Sequence, residues 1–240
     1  KTYNCPEPEA GLQAVEIRTM RTLPAGAGQL VNYSPERSGL FYFSGGVVMK
    51  VFVLFEESAR VRDAFRARGH DAWSVDLLPT RGNDQWHIKG DVWEMLPGIF
   101  AAADLIIAHP PCTRVCVSGN RYHANTSGRE EDVMRFRRLW LSCHPKIVIE
   151  NPVGVLSRVD KPTQIIQPWQ FGHPESKATC LWVRGLPLLK PTNILPLPES
   201  GRWNNQTPSG QNKLGPGPDR ARIRSETYLG IAEAMAQQWG

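Results

Sequence analysis

Two short apolar runs constrain this chain more than anything else in it. Asp104-Leu105-Ile106-Ile107-Ala108 ends in His109-Pro110-Pro111-Cys112, and Lys146-Ile147-Val148-Ile149 ends in Glu150-Asn151-Pro152. Each reads as a buried strand that proline then stops, because proline has no N–H to give to a ladder. In open α/β sheets, ligands sit outside the carboxyl ends of the strands. If the two strands are neighbours in one parallel sheet, a thiol and a carboxylate share one crevice.

The chain around these runs alternates strand and helix. Strand 50–55, Lys50-Val51-Phe52-Val53-Leu54-Phe55, is followed by a helix with Ser58 as its expected N-cap. Val61, Ala64, Phe65 and Arg68 fall on one face of that helix, and Gly69 stops it. A second strand covers 72–76 and ends in Asp76. Residues 79–86 form a loop, 86–90 a short strand ending at Asp91, and 92–96 a short helix. After strand 104–108, residues 113–128 make a long polar loop, and 130–142 a helix with Val133, Phe136, Leu139 and Trp140 as its stripe. Beyond strand 146–150 the alternation weakens: 164–168 is a strand edge, 171–174 a turn, 178–183 a strand, and 227–239 a closing amphipathic helix. This order predicts an α/β fold with a doubly wound, mostly parallel sheet and a small irregular C-terminal lobe at 186–224. Residues 1–48, rich in turn signals and without a sustained period, are expected to be a peripheral and disordered extension of a domain running from Met49 to Gly240.

Composition limits the function classes. The chain has 240 residues, enough for one domain, and no apolar run near the roughly 18 residues of a membrane span. Five scattered cysteines argue against a disulfide framework and for a reducing, cytoplasmic setting. A net charge of +5 suits an anionic partner without requiring one.

Acids close four of the expected strands or their turns: Glu56 or Glu57, Asp76, Asp91 and Glu150. A nucleoside cofactor needs such acceptors for its ribose hydroxyls and its adenine amino group, although acids here also cap the next helix. Cys112 is a candidate nucleophile if a neighbouring cation such as Arg114 lowers its pKa; otherwise it is a buried packing cysteine. His109, Cys112, Cys116, Cys143, His144, His173 and Cys180 lack the paired spacing of a structural zinc site, so no metal is expected. Trp169 and Trp203, in irregular segments near Arg202 and Arg220, are positioned to stack on a base or to pack against the protein.

The order of these motifs resembles the DNA cytosine-5 methyltransferases, in the short form found in bacteriophage and prophage genomes. Pro110-Pro111-Cys112 is similar to that family's nucleophile motif, Glu150-Asn151-Pro152 to its Glu-Asn-Val motif, and Gly90-Asp91-Val92 to its adenine-contacting Gly-Asp-Ile. Phe171 to Lys177 looks like its Tyr-Gly-Val-Pro-Gln-x-Arg motif, and the segment from Thr227 resembles the closing motif that returns to the cofactor. The resemblance implies S-adenosylmethionine as cofactor and cytosine, in DNA or a nucleotide, as substrate. It implies Cys112, Glu150 and Lys177 as catalytic residues. It implies cofactor contacts from Phe55, Glu56, Ser58, Asp76, Asp91, Pro110 and Thr227, and substrate contacts from Pro111, Asn151, Pro152 and Glu175. Cys112 would add to C6 of the ring while Glu150, kept partly protonated by burial, protonates N3.

Three departures stand out. The family's Phe-x-Gly-x-Gly-Gly turn is here Phe55-Glu56-Glu57-Ser58-Ala59-Arg60, without glycine. Only 186–224, with Arg202, Lys213, Arg220, Arg222 and Arg224, stands where a large target-recognition region is expected. Lys177 replaces an arginine and loses its bidentate geometry. A binding module that has lost the cofactor, or another modification at C5, fits the same residues.

Overall fold

The computed structural model describes residues 47–240 apart from Ser118, Gly119, Asn125, Gly210, Gln211, Pro216 and Pro218. The expectations for residues 1–46, and for those loop positions, lie outside the described residues.

Seven strands form one sheet: β1 (Lys50–Leu54), β2 (Asp71–Asp76), β3 (His87–Lys89), β4 (Leu105–Ala108), β5 (Ile147–Pro152), β6 (Gln164–Ile166) and β7 (Thr179–Arg184). Their order is β3-β2-β1-β4-β5-β7-β6. Strands β1 to β5 run parallel, and β7 is antiparallel to both its neighbours. The chain winds outward from β1 through β2 to β3, then returns to place β4 on the other side of β1. The switch point therefore lies between β1 and β4, where such sheets open a crevice.

Helices cover both faces, and the alternation of side chains along each strand decides which face they meet. Val51, Val53, Leu105, Ile107 and Val148 pack on one face with α1 (Arg60–Ala67) and α7 (Leu229–Trp239). Phe52, Leu54, Ile106, Ile147 and Ile149 pack on the other with α2 (Val92–Ala102) and α4 (Ser127–Trp140). Both faces being covered is why the strands read as continuous apolar runs. The expected doubly wound α/β fold is what the structure contains. Among the described residues no helix is long and apolar enough to cross a membrane.

Several boundaries differ from the sequence reading. Helix α2, expected to be short and to begin at Val92 to Leu96, starts at Val92 and runs through Pro97 to Ala102. Burial of Val92, Leu96 and Ile99 on one face outweighs the backbone bond that proline removes. The polar loop 113–128 holds a short helix α3 (Asn120–His123), and α4 starts at Ser127 rather than 130. The 86–90 strand is reduced to His87–Lys89 behind a 3-10 turn at Asp84–Trp86. A short α5 (Leu156–Val159) follows β5. The irregular lobe contains α6 (Arg220–Ser225), whose Arg-Ala-Arg-Ile-Arg-Ser sequence has no apolar stripe to announce it. The closing helix begins at Leu229, which leaves Thr227 outside it. Cys112 and Cys180 are free thiols.

Candidate active site

The register places the two motifs side by side. β4 and β5 pair through Ala108↔Ile149, so His109 and Glu150 occupy the next rung. On its far edge β5 continues against β7, with Glu150↔Leu181, Asn151↔Cys180 and Pro152↔Thr179. Glu150 to Pro152 are thus held by β7 on one edge while the other faces an open cleft. That explains why the strand extends past the expected end at Glu150. The cleft has a volume of about 830 Å³.

Almost every residue anticipated from sequence lines this cleft. Phe55, Glu56 and Ser58 enter from the turn after β1, and Asp76 from the end of β2. Asp91 enters from the start of α2, while Pro110, Pro111 and Cys112 follow β4. Glu150, Asn151 and Pro152 come from β5, Lys177 from the segment before β7, and Thr227 from the segment before α7. Glu175 does not line it. Its carboxylate accepts a hydrogen bond from the Tyr228 hydroxyl at 2.5 Å.

Several of these side chains do structural work. Asn151 Nδ2 donates to the Pro110 carbonyl at 2.8 Å and pins the Pro-Pro turn to β5. Gly154 completes the brace: a Cβ there would lie 2.2 Å from the Val115 carbonyl oxygen, so the two loops meet where only glycine fits. Val155 N–H donates to that same carbonyl at 2.7 Å.

Ser58 is not the N-cap of α1. The N-cap is Ala59, in the left-handed region with φ 64°. Glu56 does the capping, its carboxylate accepting from the N–H groups of Val61 at 2.7 Å and Arg62 at 3.2 Å. Glu56 is 4% exposed, and burial pushes its carboxyl above the usual range, against the His109 charge and the two N–H donors that lower it. Phe55, at the other end of the turn, is also left-handed with φ 59°. The glycine-free turn therefore adopts conformations that glycine would favour.

Asp76 Oδ1 accepts from Leu78 N–H and Asp91 Oδ1 from Trp93 N–H, both at 2.8 Å. Asp91 is thus the N-cap of α2 and also a wall of the cleft.

Cys112 is a thiol at rest. A hydrogen bond with Cys116 pushes its pKa up, burial and the Cys116 and Glu150 charges add to this, and Lys177 opposes it. Arg114 does not supply the expected activation, because its guanidinium is bound bidentately to Asp132 at 2.7 and 2.6 Å. Lys177 is the cation in place: its Nζ donates to the Arg224 carbonyl at 2.8 Å and lies near the charge of Glu150.

Glu150 departs from the expectation of a partly protonated carboxyl. Burial does raise its pKa, but the hydrogen bond from His109 and the charges of Lys177 and His109 outweigh burial and leave it below the usual range. His109 Nδ1 is 3.0 Å from Glu150 Oε2. The sequence reading weighed His109 only as a metal ligand. The signal that marks it is its place one residue past the last β4 rung, beside Glu150.

Other expectations resolve plainly. Trp169 and Trp203 stack on each other, centroids 5.7 Å apart with an interplanar angle of 4°, so those faces serve packing. His144 engages the Lys146 and Ala103 carbonyls through its two ring nitrogens, and His173 Nε2 accepts from Gly230 N–H. The arginine-bearing α6 contributes Arg220, Arg222 and Arg224 to the cleft mouth. Glu226 beside it holds Arg60, Arg81 and Arg222.

Two solved structures share part of the fold. The Dnmt2 methyltransferase of S. pombe is 14% identical with a TM-score of 0.42, over 57% of this chain and 49% of that one. The Entamoeba histolytica methyltransferase EhMeth is 12% identical with a TM-score of 0.40, over 62% of this chain and 58% of that one. The chain thus spans only about half the length of these proteins. No protein-family model and no curated protein matches it. By its own topology it is a doubly wound α/β protein with a candidate site at the switch point of the sheet. What that site can do follows from its own side chains.

Proposed function

We propose that the protein is an S-adenosylmethionine-dependent methyltransferase acting at C5 of cytosine, in DNA or in a cytosine nucleotide. One observation carries this reading: Cys112 and Glu150 leave neighbouring parallel strands, β4 and β5, into one cleft. A nucleophilic sulfur and a hydrogen-bonding carboxyl group on one pyrimidine ring are what addition at C6 requires.

The donor set suits the cofactor. Asp76 and Asp91 offer carboxylates at the ends of β2 and β3, where ribose hydroxyls and an adenine amino group need acceptors. Phe55, Ser58, Pro110 and Thr227 complete the wall, and Glu56 contributes through its grip on the α1 N-terminus. Bound S-adenosylmethionine supplies an electrophilic methyl group.

On the substrate side, the Cys112 thiol proton passes by way of the Glu150 carboxylate to N3 as the sulfur bonds to C6, and C5 becomes electron-rich. Once C5 has gained the methyl group, its own proton passes to water, the S–C6 bond breaks, Cys112 leaves as thiolate and the N3 proton returns through Glu150 to that sulfur. Pro111, Asn151 and Pro152 hold the ring's surroundings rigid. A cytosine inside a duplex must be flipped out to reach this cleft. The basic mouth formed by α6 suits the phosphates of either substrate.

A second reading has one observation in its favour. The resting Cys112 is a hydrogen-bonded thiol rather than an activated thiolate, as in a binding module without turnover.

Calorimetric titration of the full chain with S-adenosylmethionine and S-adenosylhomocysteine tests the cofactor. Labelled methyl transfer to duplex, single-stranded and mononucleotide cytosine tests the reaction. The expected outcome is micromolar cofactor binding and transfer to at least one substrate. Cys112→Ser should abolish transfer while leaving cofactor binding intact, and Asp76→Ala should weaken binding by about 1–3 kcal/mol. Cofactor binding without transfer would establish the binding module; no cofactor binding by a folded sample would remove the methyltransferase reading.

A further inference from the structure

The mouth of the cleft carries cations that the chemistry at its floor does not use. Arg220, Arg222 and Arg224 of α6 all line it. Helical residues four apart share a face, so Arg220 and Arg224 belong together and Arg222 lies apart. Arg222 is occupied by Asp219 at 3.1 Å and Glu226 at 3.7 Å. Arg135, which reaches the cleft from α4, is occupied by Glu131 at 2.6 Å. Arg220 donates to the Gly215 carbonyl at 3.1 Å. Among the described residues neither Arg220 nor Arg224 is ion-paired with a carboxylate. Arg224 is also linked to the reacting groups: its carbonyl accepts from Lys177 Nζ at 2.8 Å, and the Lys177 charge acts on Glu150.

The same mouth is apolar. Tyr122 of α3 lines the cleft and is nevertheless 74% exposed. Leu77 and Leu78, just after β2, line it at 65% and 56% exposure. One exposed apolar side chain is ordinary, but three around one opening, beside two unpaired arginines, mark a surface that something covers. The loop that carries Tyr122 is tethered at its start, where Arg129 Nε donates to the Arg114 carbonyl at 2.7 Å and Arg114 grips Asp132. The ring is therefore held out on an anchored loop.

The covering group must satisfy both kinds of surface. A free nucleotide has one base, which goes to the floor of the cleft, and leaves Tyr122 bare. A duplex presents sugar and phosphate outward and keeps its base faces stacked inside, so it meets the arginines and leaves the apolar rim wet. Helix α6, with 6 residues and a length of about 9 Å, offers little to lay along a groove. An unpaired strand supplies both parts. Its phosphates meet guanidinium groups, and the base beside the target has a free face for an aromatic ring.

Building on the methyltransferase reading, we propose that the substrate is single-stranded DNA, with the target cytosine at the floor of the cleft, a neighbouring base stacked on Tyr122 and flanking phosphates on Arg220 and Arg224. Tyr122 then selects a strand over a mononucleotide, because only a strand has a second base to offer. The two arginines supply the salt-dependent part of the affinity. The requirement for a free base face excludes a paired neighbour, which is how the same rim discriminates against duplex.

Fluorescence anisotropy of the full chain tests this, with S-adenosylhomocysteine present and a labelled, cytosine-bearing DNA strand of about 12 nucleotides as the probe. The matching duplex and deoxycytidine monophosphate serve as competitors. The strand should bind roughly 10-fold or more tightly than either competitor. Tyr122→Ala should weaken strand binding by about 10-fold. It should leave binding of the monophosphate unchanged, and Tyr122→Phe should behave as the wild type. Arg220→Gln and Arg224→Gln should each lower the slope of log affinity against log salt by about 0.7. Duplex or monophosphate binding as tight as the strand overturns the proposal, as does an unaltered strand affinity in Tyr122→Ala. The two readings fail separately. Methyl transfer to the monophosphate with no strand binding keeps the methyltransferase and removes the strand. Tyr122-dependent strand binding without methyl transfer to any substrate keeps the strand and removes the methyltransferase.

Discussion

Two buried carboxyl groups in one cleft respond to burial in opposite ways, because their partners differ. Glu56 has backbone N–H donors and a more distant imidazole, and burial wins; its pKa is raised. Glu150 has a direct bond from His109 and the Lys177 charge, and the partners win; its pKa is lowered. The consequence for stability has opposite signs. The pairing of Glu150 stabilises the fold above the ordinary carboxyl value and is lost as pH falls through its lowered one. The contribution of Glu56 is complete below the ordinary value and is lost as pH rises through its raised one. Urea denaturation of Glu150→Gln and Glu56→Gln from acid to neutral pH should therefore show opposite trends against the wild type. Glu150→Gln loses most at neutral pH, and Glu56→Gln recovers relative to the wild type as pH rises. Parallel trends would mean that one of the two charge states is wrong. The acids themselves were legible in the sequence, since each follows an apolar strand. Their charge states were not, because these depend on residues such as His109 and Lys177 that only the folded sheet brings near.

At the scale of elements, the site rests on two loops pinned to each other. The apolar runs of β4 and β5 announced the strands, and the prolines announced where they end. The brace between the loops left no such mark: one glycine among 21 gives no sign that its neighbour will be the Val115 carbonyl. Gly154→Ala should force these loops apart and destabilise the fold by about 1–3 kcal/mol, the usual cost of overpacking. Because Cys112 lies in the displaced turn, transfer should fall further than stability does, on the order of 100-fold. Denaturation and turnover measured together check this; a folded variant with wild-type turnover would separate the brace from the chemistry. Helices followed the same rule. Those with an apolar stripe, α1, α4 and α7, were legible within a few residues, whereas the arginine-rich α6 was not.

Over the whole molecule, remote segments converge on Glu226. Arg60 of α1, Arg81 after β2 and Arg222 of α6 all meet its carboxylate, while Arg81 also reaches Glu57. Exposed ion pairs contribute little singly, but the Glu226 side chain is only 13% exposed and serves three guanidinium groups. Glu226→Gln should leave the fold intact, speed hydrogen exchange across 219–227 and weaken cofactor binding on the order of 10-fold. Unchanged exchange in that segment would show that other contacts hold it. Sequence order alone could not foresee this convergence, because Arg81 and Glu226 are 145 residues apart. The turn after β1 has a wider consequence still. Phe55 and Ala59 hold left-handed angles without being glycine, each at a cost of roughly 1–2 kcal/mol that the surrounding packing sustains. Two proteins can therefore share such a turn while sharing none of its letters. At this turn the shape lies in the dihedral angles of Phe55 and Ala59 and not in glycine letters.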